Sequence, residues 1–265
     1  MISYLTILVI MVLSLGASPA AAVEKPGALR ELKQAVAAKP EDPQAHYSLG
    51  LKYESLGQTK KAIEEYRKSL SLKPGNVKVL YSLGRLMTSL GEPGQATEII
   101  KQAVKLNPKS AEARSLLAAV YNQQAMAFMQ QGNLDAAKDS LEAGIQAKGG
   151  PAATEALRNN LGCLYVRENK LDQAMGTWQE MLRQNPDVPQ AHYNLALLYY
   201  TQGDYQAANR EFLALKGLDR DMAGDLSDYR FRVKTDYDVK PPVKTMITFK
   251  GSPLLIQGTI PSDFR

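Results

Sequence analysis

The segment PQAHYSLGLKYESLG, residues 43–57, decides the fold because it returns at residues 189–203 as PQAHYNLALLYYTQG. The two copies share their first five residues, a Leu at the seventh position and a closing Gly. Such a return indicates internal repeats, and a period of roughly 20–50 residues indicates an array of similar units. The length of the period therefore determines which kind of array the chain forms.

A period of about 34 residues, typical of helix-turn-helix repeats, places equivalent residue types at equivalent positions. Each unit carries Leu followed by Gly or Ala in its first half, as in Leu49–Gly50 and Leu161–Gly162, and an Ala and a large apolar residue in its second half. Three of the units also close with Pro. The units are residues 43–76, 77–110, 111–154, 155–188 and 189–222.

Each residue type has a physical reason. The Leu and the large residue four positions later lie on one stripe of a first helix, the small residue beside the Leu lets a second helix approach, and the Pro ends that second helix. One such hairpin cannot bury its apolar face alone, so stacked neighbours complete the core. The pattern resembles the tetratricopeptide repeat over about residues 27–220. The resemblance implies an all-α, right-handed solenoid of about five helical hairpins.

The third unit departs from the pattern, because its turn at Gly132–Asn133 comes seven residues late. Seven residues are about two helical turns, so the insertion predicts a first helix that runs from Ala111 to about Gln131 with its apolar stripe in phase. Gly149-Gly150-Pro151 stands where the closing Pro is expected.

Both ends of the array differ from a full unit. Residues 27–42 match a second helix and predict an amino-terminal cap. The helical period stops near Arg220, and residues 223–265 predict a short non-helical tail with an alternating strand at 229–234. Residues 244–250 and 254–258 resemble two extended runs about a turn, a β-hairpin. Three roles stay open: a cap on the last repeat, a ligand in the chain's own groove, or a strand for a partner sheet.

The amino terminus has the pattern of an export signal. Residues 2–15 carry no charged side chain, and small residues follow up to Ala22. This predicts a signal peptide over residues 1–22 and a periplasmic protein. No Lys or Arg precedes the apolar run, so an uncleaved anchor that holds the chain at the membrane, facing the periplasm, is the alternative.

Composition excludes several function classes. The net charge is +5, but Lys and Arg are scattered among acids without a basic run, which argues against a nucleic-acid partner. One Cys and two His residues supply no metal site and no nucleophile with a base. His46 and His192 share one repeat position and are interpreted as packing residues. Cys163 is interpreted as a small apolar residue of the groove or the core, and Tyr165 and Trp178 are assigned to the core. We therefore expect no cofactor and no enzymatic activity.

The resemblance also implies where a partner binds. In tetratricopeptide solenoids the first helices line the concave face, with positions two, five, six, nine and twelve to thirteen of each unit pointing inward. Asn160 and Asn194 could pair with the backbone of an extended peptide, or they could bond between helices. Tyrosines would add apolar contact with a polar tip. The predicted groove residues are Tyr47, Tyr81, Arg85, Asn159, Asn160, Arg167, Tyr193, Asn194 and Tyr200, and the same positions of the third unit carry Glu112, Ser115, Leu116 and Asn122.

The sequence thus predicts a non-enzymatic scaffold, monomeric or weakly associated, that binds an extended segment of another protein in envelope complex assembly. A structural accessory protein anchored at the membrane is the alternative. Chaperone-type relatives grip a terminal carboxylate with Lys and Asn at positions five and nine of the first unit. Tyr47 and Leu51 occupy those positions here, so a carboxylate-tail partner is not supported.

Overall fold

The computed structural model describes residues 27–227, 246–250 and 255–259. Within these ranges the chain forms helices followed by one pair of short strands, and it divides into two compact units between Pro74 and Gly75. The predicted export signal at residues 1–22 and the predicted strand at 229–234 lie outside the described residues.

The first unit contains helices α1 (Ala28–Ala38), α2 (Pro43–Ser55) and α3 (Thr59–Leu72). The side chain of Asp42 caps α2 by accepting a hydrogen bond from the Gln44 amide at 2.9 Å, which satisfies one amide that the helix itself cannot. α2 packs against both α1 and α3. None of the α1 residues is fully buried, so α1 covers α2 without forming a core of its own.

The second unit contains four further helical hairpins. Its helices pair in chain order, and each hairpin packs on the next through the second helix of one and the first helix of the other. Two five-residue strands pair antiparallel, with Met246 opposite Thr259. The elements are α4 (Val77–Ser89), α5 (Pro93–Leu106), α6 (Ala111–Gln130), α7 (Leu134–Gln146), α8 (Pro151–Arg167), α9 (Leu171–Gln184), α10 (Pro189–Gln202), α11 (Tyr205–Leu218), α12 (residues 220–227), β1 (Met246–Lys250) and β2 (Leu255–Thr259).

Glycine at the repeated Leu-Gly position brings the two helices of a hairpin together. A Cβ added to Gly162 would lie 2.6 Å from two atoms of the Trp178 indole, and one added to Gly50 would lie 2.6 Å from the ring of Tyr66. Trp178 and Tyr66 have no solvent exposure. The large residue of the second helix therefore fills the space that the missing glycine side chain leaves open.

The turn inside each hairpin also repeats. A glycine with φ between 69° and 79° follows the first helix in four units, at Gly57, Gly91, Gly132 and Gly203. Asn169 takes this place after α8, with φ 59°. Glycine, and next to it asparagine, adopt this left-handed conformation most readily, so the turn residue is fixed by backbone geometry.

Three sequence predictions about the elements can now be compared with the structure. The lengthened first helix of the third unit is present as α6, with 20 residues. The expectation that Gly149-Gly150-Pro151 closes the third unit is wrong, because Pro151 occupies the first turn of α8. The helix thus begins before residue 155, the predicted start of the fourth unit, from which the repeat positions are counted. The end of the helical period at Arg220 is also wrong, because α12 continues to residue 227 and buries Ala223 and Leu226.

The predicted fold class, an all-α stack of helical hairpins followed by a short tail, is confirmed. Apolar residues from successive hairpins form the core of the second unit, with Trp178, Leu164 and Leu195 at its centre. Within the described ranges, no helix combines the length and apolar character that crossing a membrane requires.

Candidate peptide-binding surface

An open cavity of about 530 Å³ lies on the first helices of the second unit. α6 provides five of the seven lining residues, α4 provides Tyr81, and the loop before α8 provides Gly149. Tyr81, which the sequence predicts as a groove residue, is half-buried there. The cavity is lined by Tyr81, Ala111, Glu112, Ser115, Leu116, Ala119 and Gly149.

The lining combines apolar and polar groups. Leu116 and Tyr81 offer half-buried side chains, whereas Glu112 is exposed. The Ser110 hydroxyl donates to the Glu112 carboxylate at 3.0 Å. A backbone amide and this hydroxyl lower the pKa of Glu112, so its carboxylate stays ionised at neutral pH. Arg85, another predicted groove residue, is exposed on α4.

Tyr47, the predicted groove residue of the first unit, packs against Tyr66 on the second helix of the same hairpin. Its ring lies 5.8 Å from the ring of Tyr66, tilted by 39°. The Tyr66 hydroxyl donates to Glu54 at 2.6 Å. Tyr47 is half-buried, so part of its ring faces solvent beside a core tyrosine.

The three predicted asparagines form hydrogen bonds between first helices, in two separate pairs. Asn160 on α8 donates to Asn122 on α6 at 2.7 Å, and Asn194 on α10 donates to Asn159 on α8 at 2.8 Å. Asn159 also accepts from the Trp178 indole at 3.2 Å. All three predicted residues are at most 2% exposed. The alternative role, bonding between helices, is thus present, and their side chains are not open to solvent.

The remaining predicted residues lie on α8 and α10. Burial raises the pKa of Tyr193 to about 12, with the Asp225 charge adding to the shift. The ring of Tyr200 is buried 6.3 Å from that of Tyr205. Arg167 is exposed but donates to the Met129 carbonyl at 2.9 Å. The predicted residues on α8 and α10 therefore bond to neighbouring helices or are covered, in contrast to those around the cavity.

The strands of the tail lie near the same two helices. β1 lies next to α10, and β2 lies next to α8. The sequence analysis left open whether the tail caps the last repeat or occupies the groove. α12 shows that a helix follows the last repeat, and the strands lie against first helices.

His46 and His192 are structural, as the sequence predicts. Nδ1 of each ring lies 2.6 Å from a carboxylate, Glu65 or Glu211, and Nε2 lies 2.8 Å from the carbonyl of a preceding proline. Both nitrogens of each ring thus lie within hydrogen-bond distance of an oxygen atom. Each histidine therefore connects both helices of its hairpin to the preceding loop.

Little in the described part of the chain favours catalysis. Burial raises the pKa of the Cys163 thiol to about 12, so it is not a ready nucleophile. Among the described residues, no group of three or more His, Cys, Asp or Glu side chains could hold a metal ion.

Three family profiles, each described as Tetratricopeptide repeat, match the chain at residues 53–120, at 24–77 with 159–223, and at 118–149. Together they span nearly every helix described above. The chain is a tetratricopeptide repeat protein. Proteins of this family are generally non-enzymatic scaffolds for protein interaction, and the matches support a scaffold role for this chain. A search of curated proteins gives no match.

Several solved structures are similar to this tetratricopeptide repeat protein. YrrB, described as "a TPR protein with an unusual peptide-binding site", is 17% identical over 76% of this chain and all of its own, with a TM-score of 0.50. A MamA protein is 22% identical over 77% of this chain and 98% of its own, at 0.49. Pseudomonas aeruginosa pilF is 20% identical over 78% and 90%, at 0.48.

Two features of the site escaped sequence reasoning. Gly149 borders the cavity because it packs tightly on α6: a Cβ there would lie 2.9 Å from the Arg114 carbonyl oxygen. The only signal was the Gly149-Gly150-Pro151 run in place of a closing Pro. The cover on α8 and α10 left no signal in those helices, since their residue types match the other repeats.

Proposed function

We propose that this tetratricopeptide repeat protein is an exported scaffold that binds an extended segment of another protein on its first helices, in the assembly of an envelope complex. The observation that carries the proposal is the open cavity between α4 and α6. It lies at repeat positions that point inward in the family, and it includes the predicted groove residue Tyr81.

The cavity suits a short stretch of extended peptide. Its volume of about 530 Å³ falls within the roughly 300–1,000 Å³ typical of ligand sites. Tyr81 and Leu116 provide apolar contact for a side chain, and the Ser115 hydroxyl can both donate to and accept from a peptide backbone. Glu112 adds one negative charge, which favours a segment with a basic or uncharged residue at this point.

YrrB provides limited support. Its description names a peptide-binding site, and its fold matches this chain over most of its helices. At 17% identity the likeness concerns the fold, so peptide binding by this chain rests on the cavity.

A peptide that binds the full mature chain is first selected from a random library of extended peptides. The test is then the affinity of this peptide for variants of the chain. Tyr81→Ala and Leu116→Ala should each weaken the selected peptide by about 1–3 kcal/mol, or roughly 5- to 150-fold in Kd, because both are central apolar contacts. Leu213→Ala is the matched control, since Leu213 is 59% exposed on the second helix α11. Equal loss in all three variants, or loss in none, would show that the peptide does not bind in this cavity.

Export is tested by fractionation of cells that produce the full sequence. A soluble periplasmic chain that begins near Val23 supports the proposal. A full-length chain in the membrane pellet would favour the alternative, an anchored accessory protein.

A further inference from the structure

The repeats provide an internal comparison of how open each first helix is. Position nine of successive units is occupied by Leu51, Arg85, Ala119, Cys163 and Leu197. The first three are exposed, with Leu51 at 41%, whereas Cys163 and Leu197 are 0% and 1% exposed. Leu51 and Leu197 are the same residue type at the same repeat position, so the side chain itself does not explain the difference.

The strands explain it. β2 lies next to α8 and β1 next to α10, the two helices whose position nine is covered. A five-residue strand spans about 17 Å, similar to the length of helix between positions two and twelve. A pair of strands alone is marginally stable in water and needs an apolar surface beneath it. α8 and α10 provide such a surface through Cys163, Leu197, Tyr193 and Tyr200, all buried.

We infer that the C-terminal hairpin, meaning the paired strands at residues 246–250 and 255–259, is a resident ligand of the α8–α10 surface, and that an external segment must displace it to bind there. The inference rests on the proposed function, because it divides the first-helix face of the second unit into an open part at α4 and α6 and a part occupied by the chain itself. The displaced segment, MITFKGSPLLIQGT, carries one charged residue, Lys250. The external segment for this surface should therefore be extended, largely apolar and nearly uncharged.

Cys163 is a native probe of this cover, since it is the only thiol in the chain. In the full mature chain its alkylation by N-ethylmaleimide should be at least about tenfold slower than that of an exposed thiol, because labelling has to wait for local opening. Moving the thiol in a Cys163→Ser background gives matched probes. Leu197→Cys should be protected, and Ala119→Cys, at the same repeat position on α6, should react freely.

The hairpin is then disrupted in the full chain by combining Thr248→Pro with Phe249→Pro. The amides of adjacent strand residues point to opposite sides of the strand, so one of the two replaced amides points toward β2. One of the two prolines therefore removes a hydrogen bond between β1 and β2. We expect labelling of Cys163 and of Leu197→Cys to accelerate at least about tenfold. The rate for Ala119→Cys and the helix content by circular dichroism should not change. A synthetic peptide of residues 245–260 should restore protection.

A second measurement avoids any folding defect of the proline variant. A protease site inserted after Asp236 allows the hairpin to be cut away from the folded chain, and removal by dialysis should expose Cys163 in the same way. Unchanged labelling after both treatments would overturn the inference. The inference would also be overturned if light scattering shows a dimer and the protection of Cys163 is lost on dilution. The hairpin would then be exchanged between two copies of the chain. No external partner is used, so either result is independent of binding at the α4–α6 cavity.

Discussion

Replacing Gly162 with alanine tests whether the repeats depend on close approach of their two helices. The added Cβ would lie 2.6 Å from Cε2 and Nε1 of Trp178 and 2.9 Å from Cζ2. The indole cannot move easily, because it is fully buried and its N–H donates to Asn159. Gly176→Ala on α9 is the matched control, since a Cβ at this exposed position would meet no atom within 4 Å.

The two substitutions should change stability in opposite directions. Overpacking against a rigid ring costs up to about 3 kcal/mol, and alanine in place of glycine inside a helix recovers about 1 kcal/mol. The net loss for Gly162→Ala is therefore up to about 2 kcal/mol, which corresponds to a fall in Tm of up to roughly 4–8 °C for a chain of this size. Gly176→Ala has only the second effect and should stabilise the protein by up to about 1 kcal/mol.

Urea unfolding followed by fluorescence provides the measurement, because Trp178 is the single tryptophan and reports on its own hairpin. Circular dichroism gives the helix content in parallel. If Gly162→Ala is as stable as the unchanged protein while Gly176→Ala is stabilised as expected, the helices do not need the glycine and the reasoning from close approach is refuted.

Other predictions concern the histidine contacts and the core. Burial alone would lower the pKa of His192, but its bonds to Glu211 and to a backbone carbonyl raise it. The stability that these bonds contribute is therefore present below about pH 6.5 and is lost as pH rises through the raised pKa. Tm measured from pH 5 to 9 should show that fall, and His192→Gln should lack it. Burial would raise the pKa of Glu65, but hydrogen bonds to His46 and Lys68 lower it. The contribution of Glu65 to stability is therefore present above about pH 4.5 and is lost as pH falls through the lowered pKa. Acid titrations followed by circular dichroism should show this dependence, and Glu65→Gln should lack it. Trp178→Ala should destabilise the protein by about 3–5 kcal/mol in urea titrations. This loss should exceed that of Tyr165→Ala, because Tyr165 is only half-buried.

The sequence predicts the repeats well because their determinants are local. Leu161–Gly162 and the aromatic residue that fills the space beside it belong to one hairpin, and the glycine turns fix where each first helix ends. The early start of α8 was missed, because a proline after two glycines fits both a helix end and a helix start. Only the described structure shows that Pro151 is in the first turn.

The state of the site depends on contacts that are distant in sequence. Asn160 and Asn194 have the residue type and repeat position that the prediction requires, but their bonding partners Asn122 and Asn159 lie 38 and 35 residues away. Cover by strands near the end of the chain is more distant still. Repeat position indicates which way a side chain points, and it does not indicate what lies on top of it.

The histidine contacts also bear on how the array opens. Position four of the five units reads His46, Leu80, Arg114, Arg158 and His192, so the two histidines occur in the first and the last unit. Linear arrays fray from their terminal units, which have a neighbour on one side only. Each histidine lies on the first helix of its hairpin and bonds a carboxylate on the second helix and a carbonyl of the preceding loop, in the unit most prone to fray. Loss of one contact should therefore allow unzipping to begin at that end, while the opposite end stays closed.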